Sequence, residues 1–301
     1  MIYTLTINPS IDYVMEMDEL KPGKMNRSKS TYMLPGGKGI NVSTVLKRLG
    51  MENVAVLPIA GFSGEKLLEM ISKENLSYDA FRLQEGDTRI NVKVLGKNET
   101  ELNAEGPSLT EEERELFIEK FECLTEGDYL VLSGSVPKAL GGQFYAAIMK
   151  KLHQRGVKIV VDTIGDNFVN ALENKPFLVK PNKEELENLF AVKADTDEEL
   201  LELAKKVQTM GAENVLVSLG DKGAFLVTKD NKVLQKNAPK GQAVNTVGAG
   251  DSMVAGFLAG YLKTGDMETA LKWGIAAGSA SAFSKNLATK EEIDALMKKL
   301  C

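Results

Sequence analysis

The run Asn245-Thr246-Val247-Gly248-Ala249-Gly250-Asp251 ends in a carboxylate at the entrance of a helix-compatible stretch, Ser252 to Leu262. Small residues let the backbone N–H groups of Val247 to Asp251 converge there. The partial positive charge of a helix N-terminus suits a phosphoryl group in transfer. Gly248, Ala249 and Gly250 therefore read as an anion hole, and Asp251 as the base that takes a hydroxyl proton. The helix N-terminus is expected to keep Asp251 ionised and only modestly basic. That suffices where the proton leaves late in a loose phosphoryl-transfer transition state. A tight turn carrying an N-cap aspartate has the same spelling, so this segment alone leaves both readings open.

A second glycine-rich turn, Pro35-Gly36-Gly37-Lys38-Gly39-Ile40-Asn41, enters another helix. Its glycines let a sugar ring approach the backbone, Asn41 can donate to and accept from hydroxyls, and Lys38 can neutralise phosphate charge. The spacing is neither that of a Walker A loop nor that of the dinucleotide fingerprint. Farther on, Asn182 and Glu185 stand three apart at the start of a helix and share a face, where oxygens could orient Mg²⁺ through its waters. A helix cap beside a surface acid is the other reading of that pair.

These turns need a frame. From Thr110 onward, helical periods alternate with short apolar runs, the pattern of βα units on a parallel sheet. Strands are predicted at Ile2 to Ile7, Val54 to Pro58, Tyr129 to Ser133, Lys158 to Asp162, Phe177 to Lys180 and Val215 to Leu219. Helices are predicted at Glu111 to Phe121, Phe144 to Arg155, Lys183 to Phe190, Asp197 to Met210 and Met267 to Phe283, with one starting in Val42 to Leu49. The expected fold is α/β, a doubly wound, mostly parallel sheet flanked by helices, as one domain over residues 1–301. Two stretches, about 12–34 and 78–104, alternate polar and apolar residues without a helical period. They predict a small β-sheet lid, with Lys21-Pro22-Gly23 and Gly96-Lys97-Asn98 at hairpin ends. The exposed apolar face of such a lid needs covering, so a homodimer through the lid is expected.

Composition narrows the chemistry. With 301 residues, 43% of them hydrophobic, and a formal net charge of -5, the chain can bury a large core and carries no concentrated basic surface for nucleic acid. Cys123 and Cys301 lie too far apart in sequence to suggest a disulfide framework or a thiolate zinc site. The one histidine, His153, falls in the amphipathic stretch Phe144 to Arg155, which argues against a Ser-His-Asp triad or a histidine-rich metal site. No apolar run approaches the ~18 residues a bilayer span needs, and Met1 to Asn8 reads as a strand rather than a signal peptide. A soluble, cytoplasmic protein without a membrane partner is the expectation.

Taken together, Gly36-Gly37-Lys38-Gly39-Ile40-Asn41 and Thr246-Val247-Gly248-Ala249-Gly250-Asp251 resemble the two signatures of the ribokinase-like, or phosphofructokinase B, sugar kinase family. The resemblance extends to Asn8-Pro9-Ser10-Ile11-Asp12, Ser133-Gly134-Ser135-Val136-Pro137, Lys180-Pro181-Asn182-Lys183-Glu184-Glu185 and Val217-Ser218-Leu219-Gly220-Asp221-Lys222-Gly223. It implies a ribokinase-like fold and transfer of the γ-phosphoryl of ATP, with Mg²⁺, to a sugar hydroxyl. The start of the chain and the lid are most similar to the family's phosphosugar kinases. Those acting on fructose 1-phosphate come first, and those acting on tagatose 6-phosphate follow closely.

The same resemblance assigns roles. Asp12, Gly37 and Asn41, with Asp251, would hold sugar hydroxyls, while Arg27 and Arg89 would reach the phosphate already on the substrate, helped by Ser135 and Lys38. Lys180 and Asn182 would lie near the nucleotide phosphates, with Asn182 and Glu185 near magnesium. Ser218, Leu219, Gly220, Asp221, Lys222 and Gly223 would run along the nucleotide beside Gly250, and Ile275 and Ser279 would flank adenine. The helix Met267 to Phe283 is apolar and small on its buried side, so its pattern favours core packing for the last two over the role the resemblance implies. A non-catalytic sensor of sugar phosphate or nucleotide is the reading from another class. Asp251, kept with both glycines of its turn, counts against it.

Overall fold

Period-two alternation along Tyr129–Ser133 turns Leu130 and Leu132 to one face of a sheet and Tyr129 and Val131 to the other, and all four are buried. A strand covered on both faces belongs in a parallel sheet between two helical layers. The computed structural model describes residues 1–300 and has that architecture. Nine strands run in the order Val233–Lys236, Ala224–Val227, Asn214–Ser218, Leu178–Val179, Lys158–Asp162, Tyr129–Ser133, Ile2–Leu5, Asn53–Ile59 and Ser77–Arg82. All neighbours are parallel except the two pairs made by Ala224–Val227. That antiparallel edge escaped the sequence reading.

Helices Lys38–Arg48, Ala249–Thr264, Met267–Phe283 and Lys290–Leu300 cover one face through residues such as Val45, Leu46, Leu258 and Ile293. Phe117, Phe144, Ile148, Leu186 and Leu203 bring the other helical layer against the opposite face. The helix expected to reach Arg155 ends at Lys151, because the chain turns at Gln154, whose φ is 67°.

The order reverses between Ile2–Leu5 and Tyr129–Ser133, since the chain moves outward from the first strand in both directions. A crevice opens at such a reversal, outside the carboxyl ends of the strands. The Lys38–Arg48 helix, the loop after Ser133 and Asp162 all gather there.

A second sheet, ordered Ser30–Gly36, Ser10–Glu16, Arg89–Leu95, Thr100–Leu102, forms the lid. Its bounds correct the expectation. Ser77–Arg82 pairs in parallel with Asn53–Ile59 and is the edge of the large sheet, with Phe81 packed edge-on against Phe117. A half-buried edge strand alternates polar and apolar residues just as a lid strand does, so the pattern could not separate the two. Among the described residues no helix is long and apolar enough to cross a membrane.

Candidate active site

Gly248 stands immediately before Ala249–Thr264 with φ 79°, in the left-handed region that favours glycine, and a Cβ there would lie 2.5 Å from Leu287 Cδ2. The Val247 amide donates to Asn245 Oδ1 and that of Ala249 to the Thr246 carbonyl. Among the described residues the amides of Gly248, Gly250 and Asp251 meet no acceptor, and no side chain caps the helix. They are donors of the kind every helix start leaves unsatisfied, and they are grouped around one point.

Asp251, only 4% exposed, accepts a 2.8 Å hydrogen bond from Asn41 Nδ2 at its Oδ2. The two glycine-rich turns, 210 residues apart, therefore meet at Asp251. Burial, and next the negative charge of Asp162, push the Asp251 carboxyl up to about 6, while Lys38, the Asn41 bond and Lys180 pull the other way. A carboxyl raised to about 6 is still mostly ionised at neutral pH and only modestly basic, as expected for a helix N-terminus. Removal of water is the largest cause of the rise.

The charge behind that shift was not foreseen. Asp162, 2% exposed, ends the strand Lys158–Asp162 and stands 3.2 Å from Lys180 Nζ and 3.3 Å from Lys38 Nζ. Burial opposes its ionisation, but the two lysines outweigh burial and hold its carboxyl below the usual range. Asp162 thus fixes one lysine from each side of the crevice. Lys180 also faces the Gly248–Asp251 turn, because a Cβ on Gly250 would stand 3.2 Å from its Nζ. The available signal was a charge closing an otherwise apolar strand at the functional edge of the sheet.

On the lid side, Asp12 accepts from Ser10 Oγ at 2.9 Å and Asn91 Nδ2 at 3.0 Å, and pairs with Lys93 Nζ at 3.1 Å. Asn91 and Lys93 were missed as well. Their register partners on the neighbouring strand are Asp12 and Val14, so they share a face with Asp12. This face closes a cavity of about 440 Å³ whose lining includes Asp12, Gly36, Gly37 and Asn41. Gly36 is required by crowding, since a Cβ would come within 2.6 Å of both Ser10 Oγ and Asp12 Oδ1. Arg89 lies at the lid's base with Nη2 2.9 Å from the Asn8 carbonyl, and Arg27 is exposed on the loop between the first two lid strands. Neither lines this cavity. Ser135 is exposed just beyond Gly134, whose Cα lies against the Lys38 side chain.

On the nucleotide side, Asn182 and Glu185 form a capping box. Asn182 Oδ1 accepts from the Glu185 amide and Glu185 Oε2 from the Asn182 amide, both at 2.8 Å. Cap and acid are both real, and Glu185 Oε1 stays without a protein partner among the described residues. Asn182 also bridges to Ser218, where a turn closed by the Leu219 amide on the Gly223 carbonyl carries Gly220, Asp221 and Lys222 outward. Ile275 needs correction. It is 1% exposed and sealed in the core, because the helix Met267–Phe283 is buried around most of its circumference, and it offers adenine no surface. Ser279, one turn later, is half-buried next to Gly278, which abuts the Ala249 carbonyl.

Comparison with known proteins agrees with this arrangement. Residues 5–294 match the model of the pfkB family carbohydrate kinases. The chain is 44% identical to a 1-phosphofructokinase of Bacillus subtilis (strain 168), over 99% of this chain and 97% of that one. It is 34% identical to a D-tagatose-1-phosphate kinase of Bacillus licheniformis, over 98% of this chain and 96% of the relative. Its fold superimposes with a TM-score of 0.92 on phosphofructokinase-2 from Escherichia coli in complex with fructose-6-phosphate, at 28% identity and covering 99% and 98% of the two chains.

Proposed function

We propose that this chain, which belongs to the pfkB family of carbohydrate kinases, transfers the γ-phosphoryl of ATP to fructose 1-phosphate, giving fructose 1,6-bisphosphate. The observation that carries the reading is a buried carboxylate, Asp251, bonded to Asn41 beside a turn whose free amides converge. The sugar's free terminal hydroxyl lies at Asp251, which takes its proton as the hydroxyl oxygen bonds to phosphorus. The bond to the leaving oxygen of ADP breaks, and ADP departs with the electron pair. The amides of Gly248, Gly250 and Asp251 stabilise the charge on the moving phosphoryl group, and Lys180 and Lys38, fixed by Asp162, add to it.

The donor set fits magnesium held through water. No group of three or more histidine, cysteine, aspartate or glutamate side chains forms a metal cage among the described residues. Mg²⁺ usually keeps several waters and binds through few carboxylates and phosphate oxygens, and Glu185 Oε1 and Asn182 would hold it in that way. Bound with the nucleotide, the ion supplies charge neutralisation. Ser218, Leu219, Asp221 and Ser279 would then run along the nucleotide, and the protein acts in the cytoplasm.

Asp12, Gly37 and Asn41 hold the sugar hydroxyls, and the existing phosphate is met by Arg89, Arg27 and Ser135, which must swing toward it, since Arg89 here bonds the Asn8 carbonyl and neither arginine lines the cavity. ATP consumption measured over fructose 1-phosphate, fructose 6-phosphate, tagatose 1- and 6-phosphates and free fructose tests this. Fructose 1-phosphate should lead. The D-tagatose-1-phosphate kinase relative makes tagatose 1-phosphate the second reading. Arg89→Ala should lose roughly 10- to 150-fold in kcat/KM on fructose 1-phosphate, the range for one charge-assisted bond, with free fructose barely changed. Equal losses on both would refute the phosphate role.

The dimer belongs to the same proposal. Leu34 and Tyr32 line the cavity, whereas the lid's other face carries the exposed Met33, Ile90 and Leu102. Sedimentation should show a dimer at micromolar concentration. Charges placed at Met33 and Leu102, or at Tyr32 and Leu34, will tell which face pairs, and a wild-type monomer would end the idea.

A further inference from the structure

The segment between the last two helices, 284–289, forms part of the cavity wall and reaches in two directions. Toward the lid, Lys285 Nζ stands 3.0 Å from Glu16 Oε1 and 5.5 Å from the centre of the Tyr32 ring, so it touches two lid strands at once. Glu16 is steadied for this by the Ser30 hydroxyl, 2.7 Å from its other oxygen. The Ser30 bond, followed by Lys285, keeps the Glu16 carboxyl below its usual range.

Toward the phosphate-binding turn, the Lys285 carbonyl accepts from Asn245 Nδ2 at 3.0 Å, and Leu287 fills the space left by the missing side chain of Gly248. A buried relay reinforces this. The Ala288 amide donates to Ser281 Oγ at 3.0 Å, the Ser281 and Ser252 hydroxyls are 2.7 Å apart, and Ser252 Oγ donates to the Gly248 carbonyl at 2.8 Å. Since Ser252 commits its one proton to Gly248, Ser281 must donate to Ser252, and the relay has a single polarity. Arg48 grips the segment from the neighbouring helix, donating to the carbonyls of Leu287 and Ala288.

We propose that Lys285 to Ala288 act as a positioning strap, through which fastening the lid over the cavity and holding the Gly248–Asp251 turn in its anion-binding shape become one set of contacts. A lid that lifts releases Lys285 and loosens the turn. Phosphoryl transfer is thereby confined to the state in which the sugar is covered and water is kept out. The kinetic consequence rests on the phosphosugar-kinase reading, whereas the mechanical one does not.

Lys285→Glu and Glu16→Lys should each raise KM for fructose 1-phosphate roughly three- to tenfold and lower kcat severalfold. That is the size an exposed ion pair with a cation–π contact permits. The double variant, with the charges exchanged, should return both to within about twofold of wild type. Hydrogen exchange without any sugar supplies the independent readout. The bonded amides of Val247, Ala249 and Ser252 should exchange faster in each single variant and recover in the double. Ser281→Ala cuts the relay but leaves the lid contact, and should speed those amides without altering exchange in Ser10–Glu16. A double variant that fails to rescue, or single variants that free the lid while these amides stay protected, would overturn the strap. If the exchange pattern holds while wild type ignores fructose 1-phosphate, the strap stands and the substrate reading falls.

Discussion

The two glycine-rich turns look alike as text and differ in what their glycines are for. In the first, neighbours demand them. A Cβ on Gly37 would meet Thr6 Cγ2 at 2.4 Å, and one on Gly39 would lie 2.5 Å from the Leu5 carbonyl. In the second, Gly248 is demanded by its φ and by Leu287, but a Cβ on Gly250 would meet only the end of Lys180, 3.2 Å from its Nζ. The first turn is packed against the opening strand and forms part of the cavity wall with Gly36, Gly37 and Asn41. The second is left open so that its amides and Asp251 can meet a ligand. In the first turn every glycine named is held by packing, whereas in the second only Gly248 is, and Gly250 is open.

Asp251→Asn should break the second turn's function most severely. Turnover is expected to fall on the order of 10²-fold or more, the range for a general base, with nucleotide binding by calorimetry nearly unchanged. Near-normal turnover would remove Asp251 from the role. The wild-type pH profile sharpens the assignment. The Asp251 carboxyl is raised to about 6, so the base is protonated below that pH and free above it. On a plot of log kcat/KM against pH, activity should fall with a slope of about one as pH drops through 6 and level off above. A limb near pH 4 would mean that Asp251 is not held in its buried environment.

A pair of glycine substitutions separates the turns by smaller effects. Gly39→Ala should destabilise the fold by about 1 to 3 kcal/mol, because backbone must give way. Gly250→Ala should leave the melting temperature close to wild type, since the Lys180 ammonium need give way by only a few tenths of an ångström beside Asp162. It should still cut kcat roughly tenfold by displacing that charge. Denaturant unfolding alongside turnover checks both, and the reverse pattern would erase the distinction.

Local arrangement was readable. Tyr129–Ser133, Lys158–Asp162, Lys183–Phe190 and Met267–Phe283 lie where apolar periodicity and capping residues put them. The Asn182–Glu185 pair is three apart on one helix, so sequence spacing alone dictates that it can cap. Ser77–Arg82 was misassigned because alternation states that one face is half-buried and not which sheet provides the burial. For Ile275 the apolar pattern pointed to the core, where it lies, and only the resemblance gave it an adenine contact.

The sequence by itself determined the layered α/β frame, the two turns and the presence of an acid at the start of a helix. Those depend on residues a few positions apart. Only the tertiary structure decided which charges meet. Asp162 finds Lys38 across 124 residues, Asn41 finds Asp251 across 210 and Glu16 finds Lys285 across 269. No periodicity encodes such pairs. The first two arise because the reversal of strand order brings distant chain segments to one edge of the sheet, where burial makes each pairing consequential, whereas the Glu16–Lys285 pair is exposed and joins the small sheet to the segment before the last helix.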